Sequence, residues 1–367
     1  MKSILFMVPK MQGPKKNGIY NTEWNKELNG YIDKNKWRLV TPSVLLLASI
    51  AANEGFEPHI CDEEFRHSDL NAIYDIVCFY TVTPNINKVY EYSELFRKNG
   101  SVVVLGGVHT FFMPEEAINN CDVLMLGEGE NIFRQFLKDY SSGRYRNIYR
   151  QPVGEVNLAD SPIPMYEIMN KEELRLVPVQ TSRGCSHACR FCNSASLYGG
   201  GIRFKTKQQL IRELEFLSSL GVKNIYITDD NIFSDYKHFC SITDILASFS
   251  FKWYANTDIM LGSQEIYVKT AYKSGMRQAL IGLESLDRKT LYNIDRDNFK
   301  YKNINRYKEF IKRIQENGIG VTGSFMVGQE FDTEDTFKNI EDFAFDTSLY
   351  LSLIHIYGQR YSPLDKY

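Results

Sequence analysis

From Ile4 to about Tyr140, short apolar runs alternate with stretches of helical spacing. This pattern predicts a parallel sheet covered on both faces. The runs at 4–8, 57–61, 75–80, 102–105 and 123–126 are the expected strands. Between the first two, Thr41-Pro42 reads as an N-cap with proline at the first helical position, and Gly55 as the stop of a helix over 44–54. The order predicts a flavodoxin-like doubly wound domain over 1–142, whose ligand loops follow Val8, Tyr80, Leu105 and Leu126 at the strand carboxyl ends.

Periodicity is lost between 141 and 174, where Ser141-Ser142-Gly143 is followed by Pro152, Pro162 and Pro164, so 143–173 is expected to be a linker. Alternation then resumes with longer helices. Strands are predicted at 176–181, 224–228, 252–256, 278–283, 320–327 and 350–356, and Thr206-x-x-Gln209 is a capping box ahead of Leu210, Leu214 and Leu217. Six strand-helix units over 174–367 predict a partial (β/α)6 barrel, with functional residues at strand carboxyl ends.

A length of 367 residues suits two domains, and 43% hydrophobic residues suffice for packed cores. No run reaches the length of a membrane span, and the first apolar run is too short for a signal-peptide core. A net charge of -2 gives no field to attract a phosphate backbone. The expectation is a cytoplasmic chain with neither nucleic acid nor membrane as partner.

Four of the cysteines, Cys61, Cys78, Cys121 and Cys240, are scattered singly, whereas three fall together as Cys185-x3-Cys189-x2-Cys192. Thiolates at this spacing can converge on one face of an iron-sulfur cube and leave its fourth iron without a protein ligand. Zinc, with His187 as a fourth ligand, is the alternative, although structural zinc sites pair two knuckles and no second knuckle occurs here. The triad, with Phe191 just before its third cysteine, resembles the cluster loop of the radical S-adenosylmethionine (SAM) superfamily. That resemblance implies a 4Fe-4S cluster that chelates SAM and, once reduced, cleaves it to methionine and a 5'-deoxyadenosyl radical.

The same resemblance implies a SAM site. Phe191 would lie beside the cluster, Asp229 or Asp230 would meet the methionine amino group, and Arg203, after three glycines, would meet the carboxylate. Gly282-Leu283-Glu284-Ser285 looks like the family's Gly-x-Glu-Ser, which implies Glu284 and Ser285 at the ribose or amino acid. The stretch 320–328, with Gly323 and Val327, would pack along adenine. Each has a plainer reading: helix caps for Asp229, Asp230 and Glu284, and core for the strand.

In the first half, Gly106-Gly107-Val108-His109 follows a strand directly, Met113-Pro114-Glu115-Glu116 comes next, and Gly127-Glu128-Gly129-Glu130 opens a helix. Either glycine loop alone reads as a tight turn. Together they resemble the cobalamin-binding domain that precedes the radical SAM domain in the cobalamin-dependent branch of that superfamily. The implied cobalamin contacts are Thr81, Gly106, Gly107, His109, Gly127, Glu128 and Gly129. No Asp-x-His-x-x-Gly occurs in the first strand-helix loop, and His109 and His67, the nearest alternatives to consider as a cobalt ligand, read as hydrogen-bonding or surface groups.

The resemblance therefore implies a cobalamin-dependent radical SAM methyltransferase acting on an unactivated carbon or phosphorus centre of a small molecule or peptide. It also implies an external one-electron reductant of the flavodoxin or ferredoxin kind. Radical cyclisation, rearrangement or carbon-carbon bond formation is the alternative on the same fold, and a non-catalytic iron-sulfur or zinc module is the alternative from another class. No catalytic acid or base is singled out. The open end of the barrel is expected to be covered by the loop at 10–40 or by a partner or oligomer, or to dock a large substrate.

Overall fold

The computed structural model describes residues 1–11, 15–16, 19–20, 38–187 and 189–355, as two compact units, Met1–Val177 and Pro178–Tyr367. Most of the loop at 10–40, and Ile356 at the end of the last expected strand, lie outside the described residues. Among the described residues no helix is long and apolar enough to cross a membrane.

In the first unit β1 (Ser3–Val8), β2 (Glu57–Asp62), β3 (Ile76–Thr81), β4 (Val102–Gly107), β5 (Val123–Leu126) and β6 (Ile148–Arg150) form one parallel sheet. Its order is β2-β1-β3-β4-β5-β6. The order reverses between β1 and β3, the switch point of a doubly wound sheet. Both faces are covered, and the side chains alternate accordingly. Leu5, Met7, Val77, Phe79, Val103 and Leu105 share a core with Val89 and Phe96 of α2 (Ile86–Lys98). Phe6, on the opposite face, meets Phe133 of α3 (Gly129–Ser141) edge-on at 5.7 Å.

Two local expectations change. Helix α1 (Pro42–Asn53) begins after Thr41 as the proline implies, but the Thr41 side chain makes no capping hydrogen bond. Segment 143–173, expected to be a linker, instead packs as part of the first unit: it supplies β6, and it buries Val156, Leu158 and Tyr166. The prolines and short turns hid those apolar anchors from any periodic pattern. The segment is held by a bidentate pair in which Arg66 donates to the Glu173 carboxylate at 2.7 and 2.6 Å, with Glu173 1% exposed. Arg66 also donates to the carbonyls of Ile60 and Ile168, so one guanidinium ties β2 to this segment.

The second unit contains β7 (Val177–Val179), β8 (Asn224–Ile227), β9 (Lys252–Thr257), β10 (Met276–Glu284), β11 (Gly320–Val327) and β12 (Tyr350–His355). Their order, β12-β11-β10-β9-β8-β7, is sequential, as repeated right-handed strand-helix units require. Helices α4 (Lys207–Ser219), α5 (Tyr236–Leu246), α6 (Glu265–Lys273), α7 (Tyr307–Glu316) and α8 (Glu334–Thr347) alternate with the strands. Thr206 and Gln209 form both halves of the expected capping box. Six parallel strands in sequential order are the partial barrel that the sequence pattern predicts.

Asp62, at the carboxyl end of β2, is 2% exposed, and burial pushes its carboxyl up to about 6. The folded chain therefore holds this proton more tightly than the unfolded chain does. Stability falls as pH rises from 3.8 to about 6 and stays reduced above it. At about 1.4 kcal/mol per pKa unit the cost at neutral pH is at most roughly 3 kcal/mol. Asp62→Asn keeps the acceptor for the Glu64 amide and should raise stability at pH 7 while leaving it unchanged at pH 4. Urea unfolding at the two pH values measures this; lower stability of the variant at pH 7 would contradict it.

Candidate functional site

The three cysteines lie on a loop closed at its base. Past β7 the chain pairs Ser182–Arg183 antiparallel with Arg203–Phe204, and the loop between those strands carries Cys185, Cys189 and Cys192. Gly184 opens it at φ +99, where a Cβ would collide with the Gly201 carbonyl, so glycine is required. The two aspartates after β8 have separate tasks. Asp229, wholly buried, accepts from the Thr181 amide at 2.7 Å, the Thr181 hydroxyl at 2.5 Å and the Ser182 hydroxyl at 2.6 Å. Asp230, half-buried, accepts from the Gly184 amide at 2.9 Å, and burial raises its carboxyl above the usual range.

All three thiols are free and half-exposed. The His187 amide donates to the Cys185 sulfur and the Ser194 amide to the Cys192 sulfur, both at 3.5 Å. Such donors favour the thiolate and are one of the levers on iron-sulfur chemistry. Burial pushes Cys189 up to about 12 and raises Cys192, whose neighbours in the local field include Cys185, Asp230 and Glu284. Among the described residues no three His, Cys, Asp or Glu side chains converge as they would on a single metal ion. In a cube each thiolate binds a different iron, so the sulfurs need no common point, and this loop fits that group. His187 is engaged elsewhere: its ring lies 3.1 Å from Asp258 Oδ2 and 4.3 Å, centroid to centroid, from Phe299.

Glu284 ends β10 with φ +67, is 7% exposed, and pairs with Lys300 at 2.6 Å. Ser285 is buried, and its hydroxyl accepts from the Asp287 amide at 3.0 Å. Phe191 packs on Leu291, Ile294 and Met326. Val327, at the carboxyl end of β11, is 5% exposed. Gly323 lies earlier in that strand, where a Cβ would come within 3.1 Å of both Leu283 and Leu349. Arg203 donates to the Tyr198 carbonyl at 3.3 Å. Cys185, Cys192, Asp230 and Glu284 thus share one electrostatic neighbourhood, while Gly323 lies in the packed interior of the sheet.

Sequence reasoning missed Asp258, Asp295 and Lys300. Asp258 directly follows β9, so the strand-end rule would have found it: it accepts from Asn231 Nδ2 at 2.8 Å as well as facing His187. Asp295 and Lys300 lie in an aperiodic polar stretch that offers no such signal.

At the carboxyl edge of the first sheet, Thr81 is a buried knot. Its hydroxyl donates to the Gly106 carbonyl at 3.0 Å and lies 3.3 Å from the Thr110 hydroxyl. Gly107 has φ +129, and a Cβ there would strike the Thr81 backbone. His109 is 2% exposed, with Nδ1 3.2 Å from the Thr83 hydroxyl and Nε2 3.6 Å from Glu116. Glu128 is buried ahead of α3, whereas Gly106, Gly107, Gly127 and Gly129 are half-exposed. His67 is exposed. Buried Asn85 also belongs here: it donates to the carbonyls of Pro9 and Tyr80 and accepts from the Val82 amide, bracing the ends of β1 and β3. Half-exposed glycine backbone over a rigid floor of hydroxyls suits a large cofactor rimmed by amides, so these residues fit cobalamin.

The fold and the thiol triad define a two-unit α/β chain with a three-thiol loop at the end of a barrel strand. The profile of the Radical SAM superfamily matches residues 179–344, and that of the B12 binding domain matches residues 34–137. The chain belongs to the cobalamin-dependent radical SAM enzymes, whose domains imply a 4Fe-4S cluster, SAM and cobalamin. Bacteriochlorophyllide d C-12(1)-methyltransferase of Chlorobaculum tepidum is 24% identical over 312 residues, which span 82% of this chain and 68% of that protein. The radical SAM methyltransferase TsrM of Kitasatospora setae, solved with tryptophan substrate and a SAM analogue, superposes with a TM-score of 0.74 at 15% identity, over 96% of this chain and 73% of that one. The cobalamin-dependent SAM radical enzyme OxsB gives 0.72 at 16% identity, over 94% and 52%.

Removing the Asp229 carboxylate strands the Ser182 hydroxyl and the Thr181 amide in a dry site, while the Thr181 hydroxyl keeps His238. At about 1–3 kcal/mol for each buried polar group left without its partner, Asp229→Ala should cost roughly 3 kcal/mol or more, and Asp230→Ala distinctly less. Denaturant unfolding of the two variants measures the difference, and equal losses would refute this division of tasks.

Proposed function

We propose that the chain is a cobalamin-dependent radical SAM methyltransferase that methylates an unactivated carbon of a small-molecule substrate, fed by an external one-electron reductant. The observation that carries this reading is the presence, on one chain, of a three-thiol loop at the end of a barrel strand and a doubly wound unit with paired glycines at its strand ends. The methyltransferase relatives support it. When bound, the reduced cluster supplies the electron that splits SAM to a 5'-deoxyadenosyl radical, and cobalamin supplies the methyl group.

The protein's own residues bind, orient and keep water out. Cys185, Cys189 and Cys192 would each hold one iron. With Asp229 consumed beneath the loop, Asp230 is the aspartate left to meet the methionine ammonium, for which a carboxylate is the natural partner. Glu284 and Ser285 would serve the ribose or amino acid, Arg203 the SAM carboxylate, and Val327 the adenine. Gly323 acts on that site by letting Leu283 and Leu349 pack. In the first unit, Gly106, Gly107, Gly127 and Gly129 would lie against cobalamin, with Thr81 fixing the backbone from behind and His109 and Glu128 buried close by.

Anaerobic reconstitution with iron, sulfide and hydroxocobalamin, followed by desalting, tests the reading without a known substrate. About one cobalamin per chain should be retained beside roughly four irons. With reductant and S-methyl-labelled SAM, 5'-deoxyadenosine should form and label should enter the cobalamin fraction. Alanine at all three cysteines should abolish the iron and the 5'-deoxyadenosine. A cluster that cleaves SAM while cobalamin is lost on desalting would replace methyl transfer with a cobalamin-free radical reaction, such as ring closure.

A further inference from the structure

Lys300 follows Asp295 by five residues and is 7% exposed. Its ammonium donates to Glu284 Oε1 at 2.6 Å and to the Gly282 carbonyl at 2.7 Å, and its backbone amide donates to Asp295 Oδ2 at 2.5 Å. Asp295 forms an isolated antiparallel bridge with Cys189, and the Arg190 amide donates to the Ile294 carbonyl at 2.9 Å. A Cβ on Gly282 would overlap the Glu284 carboxylate and crowd the Lys300 ammonium, so the missing side chain makes room for the ion pair. The cluster loop, the end of β10 and the Lys300 segment are thereby one connected set of contacts.

Two costs meet in this set. A buried ion pair is often no more stable than apolar residues of equal volume, so the lysine is poorly explained by stability alone. Glu284 holds φ +67, a region that disfavours any residue with a Cβ by roughly 1–2 kcal/mol. Strained backbone of this kind persists where the surroundings over-determine it, and such places cluster at ligand sites.

We propose that Lys300 is a positioning residue: it clamps the Glu284 carboxylate and, through Asp295, the Cys189 segment into one piece, so that SAM held by Glu284 and the cluster held by Cys189 keep a fixed mutual position. The clamp also sets a buried positive charge beside the cluster ligands. The role is the same whether or not the radical reaction ends in methyl transfer.

The test uses the full chain with its cluster reconstituted, and compares Lys300→Met, Lys300→Arg, Glu284→Gln and the double variant Glu284→Gln/Lys300→Met. The readouts are SAM affinity by equilibrium dialysis and cluster midpoint potential by titration followed with electron paramagnetic resonance. Lys300→Met should weaken SAM binding at least tenfold and shift the potential to a more negative value, because a cation near the cluster has gone. Lys300→Arg should restore the potential but not the full affinity. In the Glu284→Gln background the lysine change should alter SAM affinity less than threefold, since the group it positions has been disabled, while the potential still shifts. The double variant removes both members of the Glu284–Lys300 pair, so neither is left buried without the other, and it keeps the comparison available if Lys300→Met alone fails to fold. Unchanged potential on loss of the lysine, full multiplicative losses in the double variant, or unaltered SAM binding in Glu284→Gln would each overturn the proposal.

Discussion

The carboxylate of Asp229, closed off from solvent at the end of β8, takes three hydrogen bonds from Thr181 and Ser182 at the end of β7. Charge-assisted bonds in a dry site are worth considerably more than neutral ones, and leaving any of these groups unpaired is costly. This tie fixes the backbone two residues before Gly184, the hinge from which the cysteine loop departs. Asp230 then holds the Gly184 amide from above. Where the thiols lie therefore depends on a carboxylate that need touch neither iron nor SAM. His238 extends the tie outward, with Nε2 2.8 Å from the Thr181 hydroxyl and its ring tilted against Phe204 at 4.4 Å.

The first unit solves the same problem with neutral groups. Parallel strands end in backbone carbonyls and amides that no longer have a ladder partner, and those buried beneath a ligand loop need side chains to satisfy them. Thr81 and Asn85 do this at the ends of β3 and β1, the two strands that flank the switch point. The choice of charge differs for a physical reason. Hydroxyl and amide groups such as those of Thr81 and Asn85 satisfy the strand ends without adding a charge of their own. In the second unit the carboxylates of Asp230 and Glu284 stand in the field of the loop thiols, and the Lys300 ammonium, 2.6 Å from Glu284, offsets that negative charge.

Much of this architecture was legible in the sequence because it rests on local, periodic signals. The parallel strands alternate with helices at visible spacing, the Thr206–Gln209 box is intact, and the cysteine spacing and glycine pairs carry their chemistry in adjacent residues. What stayed hidden was set by tertiary contacts. Asp229 and Asp230 are neighbours of one residue type, and only the register of β8 against β7 decides that the first turns under the loop while the second faces Gly184. Lys300 and Asp295 acquire meaning only by meeting Glu284 and Cys189, sixteen residues or more away along the chain. Segment 143–173 carries anchors such as Tyr166 at irregular spacing, so its packing onto the first unit leaves no periodic trace.

The same burial that builds these supports sorts the cysteines. Cys61, Cys78 and Cys121 are buried singly in the first unit. Burial pushes Cys61 up to about 11 and Cys121 up to about 12, and raises Cys78 as well. Each stays a packed thiol; that of Cys121 donates to the Ala117 carbonyl at 3.4 Å. Cys189 and Cys192 are also raised by burial, so a raised thiol alone does not mark out the iron site. The difference lies in what can offset the lost proton. In the loop, backbone amides point at the sulfurs of Cys185 and Cys192, and the buried Lys300 ammonium favours the thiolate of Cys189. Iron binding releases protons from its ligands. It proceeds where the resulting negative charge is shared by donors already in place, and the fixed positions of Asp229, Asp230 and Lys300 hold those donors there before any metal arrives.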